Sequence, residues 1–407
     1  MHSKGLLKRI VSTLFSISLL SGSVAGAQEC GWDECCPPPP SCASDSQCGN
    51  WRLRGSYLYW KPCEKGISLG RELTSVSSKA SQNTDFTAST QNMSFEFESG
   101  FKVGVGYGSP CCNWDLALDW TYFHASADAQ AQGRGVSNSF VGSGFPTGTF
   151  FSSDWVSSRV VQPLMSSARW TMALDLVDLS LGYTFCFQEC FSIRPSIGLR
   201  GTRLDQKYHV GSNVVEFIAE EFAQTAVEST CDLKAIGPRV AVDMEFDCGC
   251  GFAIFGSAGA SLLYGKFHTR SDAALQPGPG STTFPDPDLE LTNPLFTYEI
   301  SGGVPSLTTT TVTDLAIGLK WERCYQACDR NYTVGLAAAW EFHAFYDVNQ
   351  FDFDKIPLSA LLIGGLSAAP DPVPLPIGPS LLVEPQSHRK FGDLTTQGLT
   401  ISAFLGF

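Results

Sequence analysis

Apolar and polar residues alternate at every second position through much of this chain, the period of a strand whose two faces meet different surroundings. Reading back from the C-terminus, Phe407, Leu405, Ala403, Ile401 and Leu399 form an apolar set. Gly406, Phe404, Ser402 and Thr400 form the other, small or polar but for one aromatic. Residues 331–346 repeat the scheme, with Tyr332, Val334, Leu336, Ala338, Trp340, Phe342, Ala344 and Tyr346 on one face. In 113–124, Trp114, Leu116, Leu118, Trp120 and Tyr122 oppose Asp115, Asp119 and Thr121; in 311–323, Leu315, Ile317, Leu319 and Trp321 oppose Asp314, Gly318, Lys320 and Glu322. The pattern predicts strands at 51–61, 94–108, 113–124, 170–186, 191–205, 233–247, 252–266, 311–323, 331–346 and 393–407. Residues 170–186 change phase near Leu176 and Val177, which points to a bulge there or a misplaced boundary.

Consecutive strands pair across short turns at 108–112, 186–190, 248–251 and 324–330. The pairs are separated by long stretches rich in Ser, Thr, Gly, Pro and Asn at 62–93, 125–168, 206–231, 267–310 and 347–392. Short turns on one side, long loops on the other and aromatics near the strand ends are the layout of a bacterial outer-membrane barrel. The expected fold is therefore all-β, an antiparallel up-and-down transmembrane β-barrel of about ten strands. Further hairpins hidden in the long loops leave 12 to 16 open. A secreted β-sandwich shares the alternation, but it does not need so many aromatics on outward faces or a terminal Phe407.

The N-terminus adds export. Lys4, Lys8 and Arg9 precede an apolar run from Ile10 to Leu20, and Ala25-Gly26-Ala27 is a small-x-small cleavage site. That run is far shorter than the roughly 20 residues a membrane-spanning helix needs. The expected organisation is a signal peptide at 1–27, a Cys/Pro-rich periplasmic segment at 28–50 and a barrel at 51–407. Charged residues make up 16% of the chain, below the ≈ 25% of an ordinary soluble domain. A net charge of −13 argues against nucleic acid as a partner. Outer-membrane lipid and the barrel-assembly machinery are the expected partners, with Phe407 as the insertion signal.

The alternation assigns a set of charges to the lumen: Arg52, Arg54, Glu96, Glu98, Lys102, Asp115, Asp119, Arg194, Arg200, Arg239, Asp243, Glu245, Asp314, Lys320 and Glu341, with His343 beside them. Unpaired in a dry core, each would cost several kcal/mol. A hydrated pore wall removes most of that cost, and so does a plug in which the charges pair. The first predicts a porin passing small hydrophilic solutes and ions; the second predicts a plugged structural barrel.

Fifteen cysteines in an exported chain point to disulfides. Cys30, Cys35, Cys36, Cys42 and Cys48 lie in the Pro-rich segment, and Cys63 follows the first strand. Cys111/Cys112, Cys186/Cys190, Cys248/Cys250 and Cys324/Cys328 mark the four short turns, and Cys231 falls near a strand end. The disulfide candidates, the turn cysteines together with those of the Pro-rich segment, would share the periplasmic side. They would either close their own turns or cross-link to further copies of this chain, or to Cys-rich envelope proteins. The spacings are not those of a zinc site, and neither metal nor cofactor is expected.

The opening strand Trp51-Arg-Leu-Arg-Gly55-Ser-Tyr57-Leu-Tyr59-Trp60-Lys61-Pro62-Cys63-Glu64-Lys65-Gly66-Ile67 resembles that of the Legionella/chlamydial-type major outer-membrane porin family. The cysteine habit and terminal Phe407 are similar to its chlamydial branch. The resemblance implies an abundant β-barrel porin, compatible with a homo-oligomer, that contributes to envelope rigidity through disulfides. The run Pro37–Pro40 has no counterpart in that pattern and suggests a stiff spacer.

Enzymatic chemistry has little to stand on. His124-Ala125-Ser126 has the two-apart His and Ser of outer-membrane phospholipases, but the surrounding context is missing. No Walker, dinucleotide or Gly-x-Ser-x-Gly pattern sits in its required setting. No catalytic residue is assigned. An adhesive role remains beside the pore, because loop 125–168 carries Phe140, Phe145, Phe150, Phe151 and Trp155.

Overall fold

The computed structural model describes residues 51–77, 84–109, 113–132, 148–153, 161–187, 190–216, 222–277, 284–288, 296–301, 306–327, 330–354, 387–389 and 392–407. The predicted signal peptide at 1–27 and the predicted periplasmic segment at 28–50 lie outside them. Ten long strands carry the fold: β1 Trp51–Glu64, β2 Glu98–Gly108, β3 Trp114–Gln132, β4 Val161–Tyr183, β5 Phe191–Glu216, β6 Phe222–Gly249, β7 Phe252–Pro277, β8 Ser306–Ala327, β9 Arg330–Asn349 and β10 Gly392–Gly406. Each pairs antiparallel with its sequence neighbours, and β1 pairs with both β2 and β10, so the sheet closes on itself. Closure is drawn tight at the termini of the ladder. The Trp51 N–H donates to the Phe407 carbonyl at 3.1 Å, and the Phe407 N–H returns to Trp51 at 2.9 Å. A closed barrel has no unpaired edge, which a strand in hydrocarbon requires.

The ten strands expected from the alternation are the ten observed, and the four short turns lie at one end. The turn between β6 and β7 runs Gly249-Cys250-Gly251 with φ of 88°, 56° and 80°. Left-handed backbone is freely adopted by the two glycines and tolerated by the cysteine between them.

Strand length was underread. The ladder continues to Gln132 in β3, from Val161 in β4, to Glu216 in β5, from Phe222 in β6 and to Pro277 in β7, through stretches predicted as loops. The cause is an inversion of the two faces. Next to the short turns, β3 presents Trp114, Leu116, Leu118 and Trp120 outward, exposed, and Asp115 and Asp119 inward. Farther along, Phe123, Ala125, Ala127 and Ala129 are buried inside and His124 and Asp128 face out. In β5, Ile197 and Leu199 outside give way to Arg203 and Lys207, while Arg200 inside gives way to Leu204, Tyr208 and Val210. The barrel thus has two storeys. Within the membrane it is apolar outside and charged inside; beyond it, the chain is polar outside and apolar inside, as a soluble barrel would be.

The same inversion explains the apparent phase change in 170–186, which the structure does not contain. In β4, Trp170, Met172, Leu174 and Leu176 are buried inward and Val177, Leu179 and Leu181 exposed outward, in unbroken alternation. The hydrophobic pattern swaps faces while the backbone does not.

The loops do hold a further hairpin, but it does not join the barrel. Ser68–Ser77 and Thr84–Asn92 pair with each other, and Gly148–Ser153 joins them in a separate three-stranded sheet. Phe150 and Phe151 lie in that third strand; Phe140, Phe145 and Trp155 lie outside the described residues. The strand predicted from residue 94 begins regularly only at Glu98, after the isolated pair Ser94–Phe95.

Candidate functional site

The charged inner wall is brought together as expected, and it is paired. Arg54 meets Asp119 at 2.5 Å. Arg194 bridges Asp115 and Asp243, the latter at 2.7 Å, and Ser257 donates to Asp243 at 2.7 Å. Lys320 meets Glu245 at 2.5 Å and Glu322 at 3.1 Å. Glycines make this crowding feasible: a Cβ at Gly104 would collide with the Asp119 carboxylate, and one at Gly182 with the Arg194 guanidinium at about 2.5 Å.

Above these pairs a continuous network spans the lumen. Lys102 of β2 reaches Glu341 of β9 at 3.1 Å, and Glu341 contacts His343 Nε2 at 3.3 Å. His343 Nδ1 lies 2.8 Å from Asp314 of β8. Asp314 meets Arg200 of β5 at 2.8 Å, and Arg200 grips Asp178 with two N–H groups at 2.6 and 2.7 Å. Arg239 stands within 3.8 Å of both Asp178 and Asp314. Fork-on-carboxylate pairing of this kind is directional and strong where water is scarce. Arg200 has only 3% of its side chain exposed.

Immediately above, the lumen is filled with apolar side chains. Trp60 has no exposed surface. Its indole N–H donates to Thr400 at 3.0 Å, and its ring lies 5.4 Å from Phe123 and 4.7 Å from His343. Leu58, Leu174, Leu204, Leu263, Phe345 and Leu394 are fully buried around it. Higher still, Gln206 of β5 donates to Glu64 of β1 across the barrel at 2.7 Å. Tyr208 and Phe351 approach to 6.2 Å between ring centres.

Three expectations need adjustment. Glu96 is not on the wall: it is exposed in the break between Phe95 and Glu98, where no ladder fixes its direction. Cys231 is not at a strand end; it lies within β6, facing inward and 1% exposed. Cys63 lies within β1 rather than after it, exposed on the outer face. Arg52 faces inward as expected, 5.8 Å from the Phe404 ring, and Glu98 is registered opposite the inward Trp60. The sequence reading missed Asp178, hidden by the supposed phase change, and Glu64 and Gln206, which stood in or beside predicted loops.

Among the turn cysteines, Cys186, Cys248 and Cys324 are exposed at the short-turn end and Cys190 is half-buried there. Cys250 is disulfide-bonded. Cys30, Cys35, Cys36, Cys42, Cys48, Cys111, Cys112 and Cys328 lie outside the described residues. His124 and Ser126 both face outward on β3, opposite Ala173 and Thr171.

A closed antiparallel barrel with an apolar outer belt and short turns at one end defines an outer-membrane β-barrel protein. The model of the Legionella pneumophila major outer membrane protein precursor matches residues 44–357, and the chain belongs to that family. It is a multi-pass protein of the bacterial outer membrane. No curated protein matches it. Among solved structures, the outer membrane protease OmpT of Escherichia coli aligns over 88% of this chain and 96% of its own, at 10% identity and a TM-score of 0.34. The toluene transporter TodX of P. putida aligns over 88% and 90%, at 6% identity and a TM-score of 0.19. Similarity this slight carries no argument about activity.

Proposed function

We propose that this protein is a closed outer-membrane barrel, with a structural and surface-presenting role, whose lumen is shut at mid-height in its resting state. The observation that carries this reading is the stack of contacts spanning the lumen: Lys102 to Glu341, Arg200 to Asp314, and Gln206 to Glu64 above a buried Trp60. Small barrels fill their interior with side chains, whereas 16–18 strands leave an aqueous channel; ten strands fall near the filled end. The long-loop end would face outward and the short turns the periplasm. The turn cysteines would there cross-link to further copies of the chain or to Cys-rich envelope proteins, and Phe407 would direct insertion by the barrel-assembly machinery. No catalytic role is assigned.

Passive diffusion of small hydrophilic solutes is the second reading, favoured by the water-accessible lower lumen. There Arg54, Asp243 and Glu245 keep 43%, 41% and 38% of their side chains exposed. In this reading the network from Lys102 to Arg200 acts as a gate rather than a plug. Liposome swelling in isotonic sugars tests the choice. Liposomes carrying folded protein that swell no faster than empty ones support the closed barrel, and rapid size-dependent swelling supports the porin.

A further inference from the structure

On the outer face, Arg203 of β5, Lys234 of β6 and Lys266 of β7 stand directly opposite one another in register. Like charges placed side by side on a sheet repel, and the remedies within the chain are partial. Arg203 pairs with Asp205 two residues on at 2.7 Å. Among the described residues, neither Lys234 nor Lys266 takes part in a salt bridge, and both are exposed. The acid next to the row, Asp175, opposes Arg203 and also accepts the Trp120 indole N–H at 3.1 Å. The next row outward, Asp205, Asp232 and His268, supplies two carboxylates, one of them already engaged by Arg203.

The height of this row is what gives it meaning. One step toward the short turns, the register places Gly201, Ile236 and Tyr264; the next step is Leu199, Pro238 and Leu262. Ile236 and Tyr264 are 61% and 57% exposed, as lipid-facing groups are. The cations therefore occupy the first polar position above the apolar belt. Gly201 leaves a notch beside them: a Cβ there would touch only the Val177 carbonyl, at 3.9 Å. The notch opens a surface pocket of ≈ 450 Å³, walled by Arg203, Lys234, Val177, Ile236 and Tyr264, with the Asp175 carboxylate at its edge. A second pocket of ≈ 560 Å³, sharing Lys234 and Tyr264 with the first, reaches Lys266 and His268 and also includes Asp232.

We infer that Arg203, Lys234 and Lys266 bind the phosphate-bearing headgroup of an outer-leaflet lipid, whose acyl chains run down over Ile236, Tyr264 and Leu262. A row of cations at the headgroup level attracts anionic lipid. The continuous apolar surface beneath it distinguishes a lipid from a soluble anion, which has no use for that surface. The inference is independent of whether the lumen conducts.

The test is native mass spectrometry of the full mature protein folded in a non-ionic detergent, titrated with diphosphoryl lipid A, with dephosphorylated lipid A, and with inorganic pyrophosphate. The variant is Lys234→Ser/Lys266→Ser, with Lys61→Ser on distant β1 as reference. All three residues face outward, Lys234 and Lys266 exposed and Lys61 half-buried, and heat-modifiable gel mobility reports that each variant is folded. Saturable lipid A binding, weakened about tenfold or more in the double variant and unchanged in Lys61→Ser, supports the site, as does weak binding of the dephosphorylated lipid. Equal binding by wild type and double variant would overturn it. Pyrophosphate binding as tight as that of lipid A would also overturn it, leaving a plain anion site.

Discussion

Gln206 and Glu64 meet across the interior of the barrel, the amide N–H donating to the carboxyl at 2.7 Å, although β5 and β1 stand four strands apart. Burial pushes the Glu64 pKa up to about 8, the Gln206 N–H opposing part of that rise. Glu64 lies past Lys61, where the outer face of β1 has turned polar, and so beyond the membrane-spanning stretch. The folded state therefore holds a proton that the unfolded chain releases around its ordinary value of 4.5. Stability from this group is complete below that value and is lost as pH rises through about 8. The urea midpoint should fall from pH 5 toward pH 8, and Glu64→Gln should flatten that slope. An unchanged slope in Glu64→Gln would assign the dependence elsewhere.

Trp60 is the largest side chain with no exposed surface at the level where the lumen closes. Trp60→Ala removes a buried indole and its hydrogen bond to Thr400, at a cost of about 3–5 kcal/mol. Urea unfolding monitored by tyrosine fluorescence measures that loss. The vacated space lies directly between the hydrated lower lumen and the apolar upper storey. The variant is expected to leak ions where the wild type does not.

Arg200 holds Asp178 and Asp314 together in a nearly dry site. Arg200→Met leaves the Asp178 and Asp314 carboxylates with only the longer Arg239 contacts and the His343 ring to offset them, and removing one partner of a buried ion-pair network costs up to about 3–5 kcal/mol. Adding Asp178→Asn and Asp314→Asn should recover much of it. Equilibrium unfolding of the single and triple variants decides; a triple variant no more stable than the single would contradict the network as drawn.

The ladder ends with Phe407 exposed on the lipid face and its backbone bonded to Trp51. Replacing the ring leaves those bonds intact, so Phe407→Ser should refold in detergent as the wild type does. In cells its assembled fraction should drop several-fold, measured by heat-modifiable mobility of outer-membrane protein. Equal loss in both settings would make Phe407 a stabilising residue rather than a signal.

How much of this was legible in the sequence follows from where one period dominates. In the membrane storey the outer face is apolar without exception over several turns of the alternation, as in Trp114 to Trp120, and both strands and inward charges could be read. Beyond Phe123 the same strand keeps its period but exchanges the meaning of its faces, so β3 seemed to end at residue 124. Asp178 was lost for that reason, lying inward between Leu176 and Ser180 where the apolar set appears to change sides. The pairings themselves, such as Lys102 with Glu341, depend on barrel closure and stagger, which no local pattern encodes.

The most direct measurement of the closed lumen is single-channel conductance of the refolded mature protein in a planar bilayer, beside Trp60→Ala. The account predicts a wild type that inserts yet stays silent and a variant that shows discrete steps. Regular steps from the wild type, unaltered by Trp60→Ala, would contradict it and place an open path past Trp60.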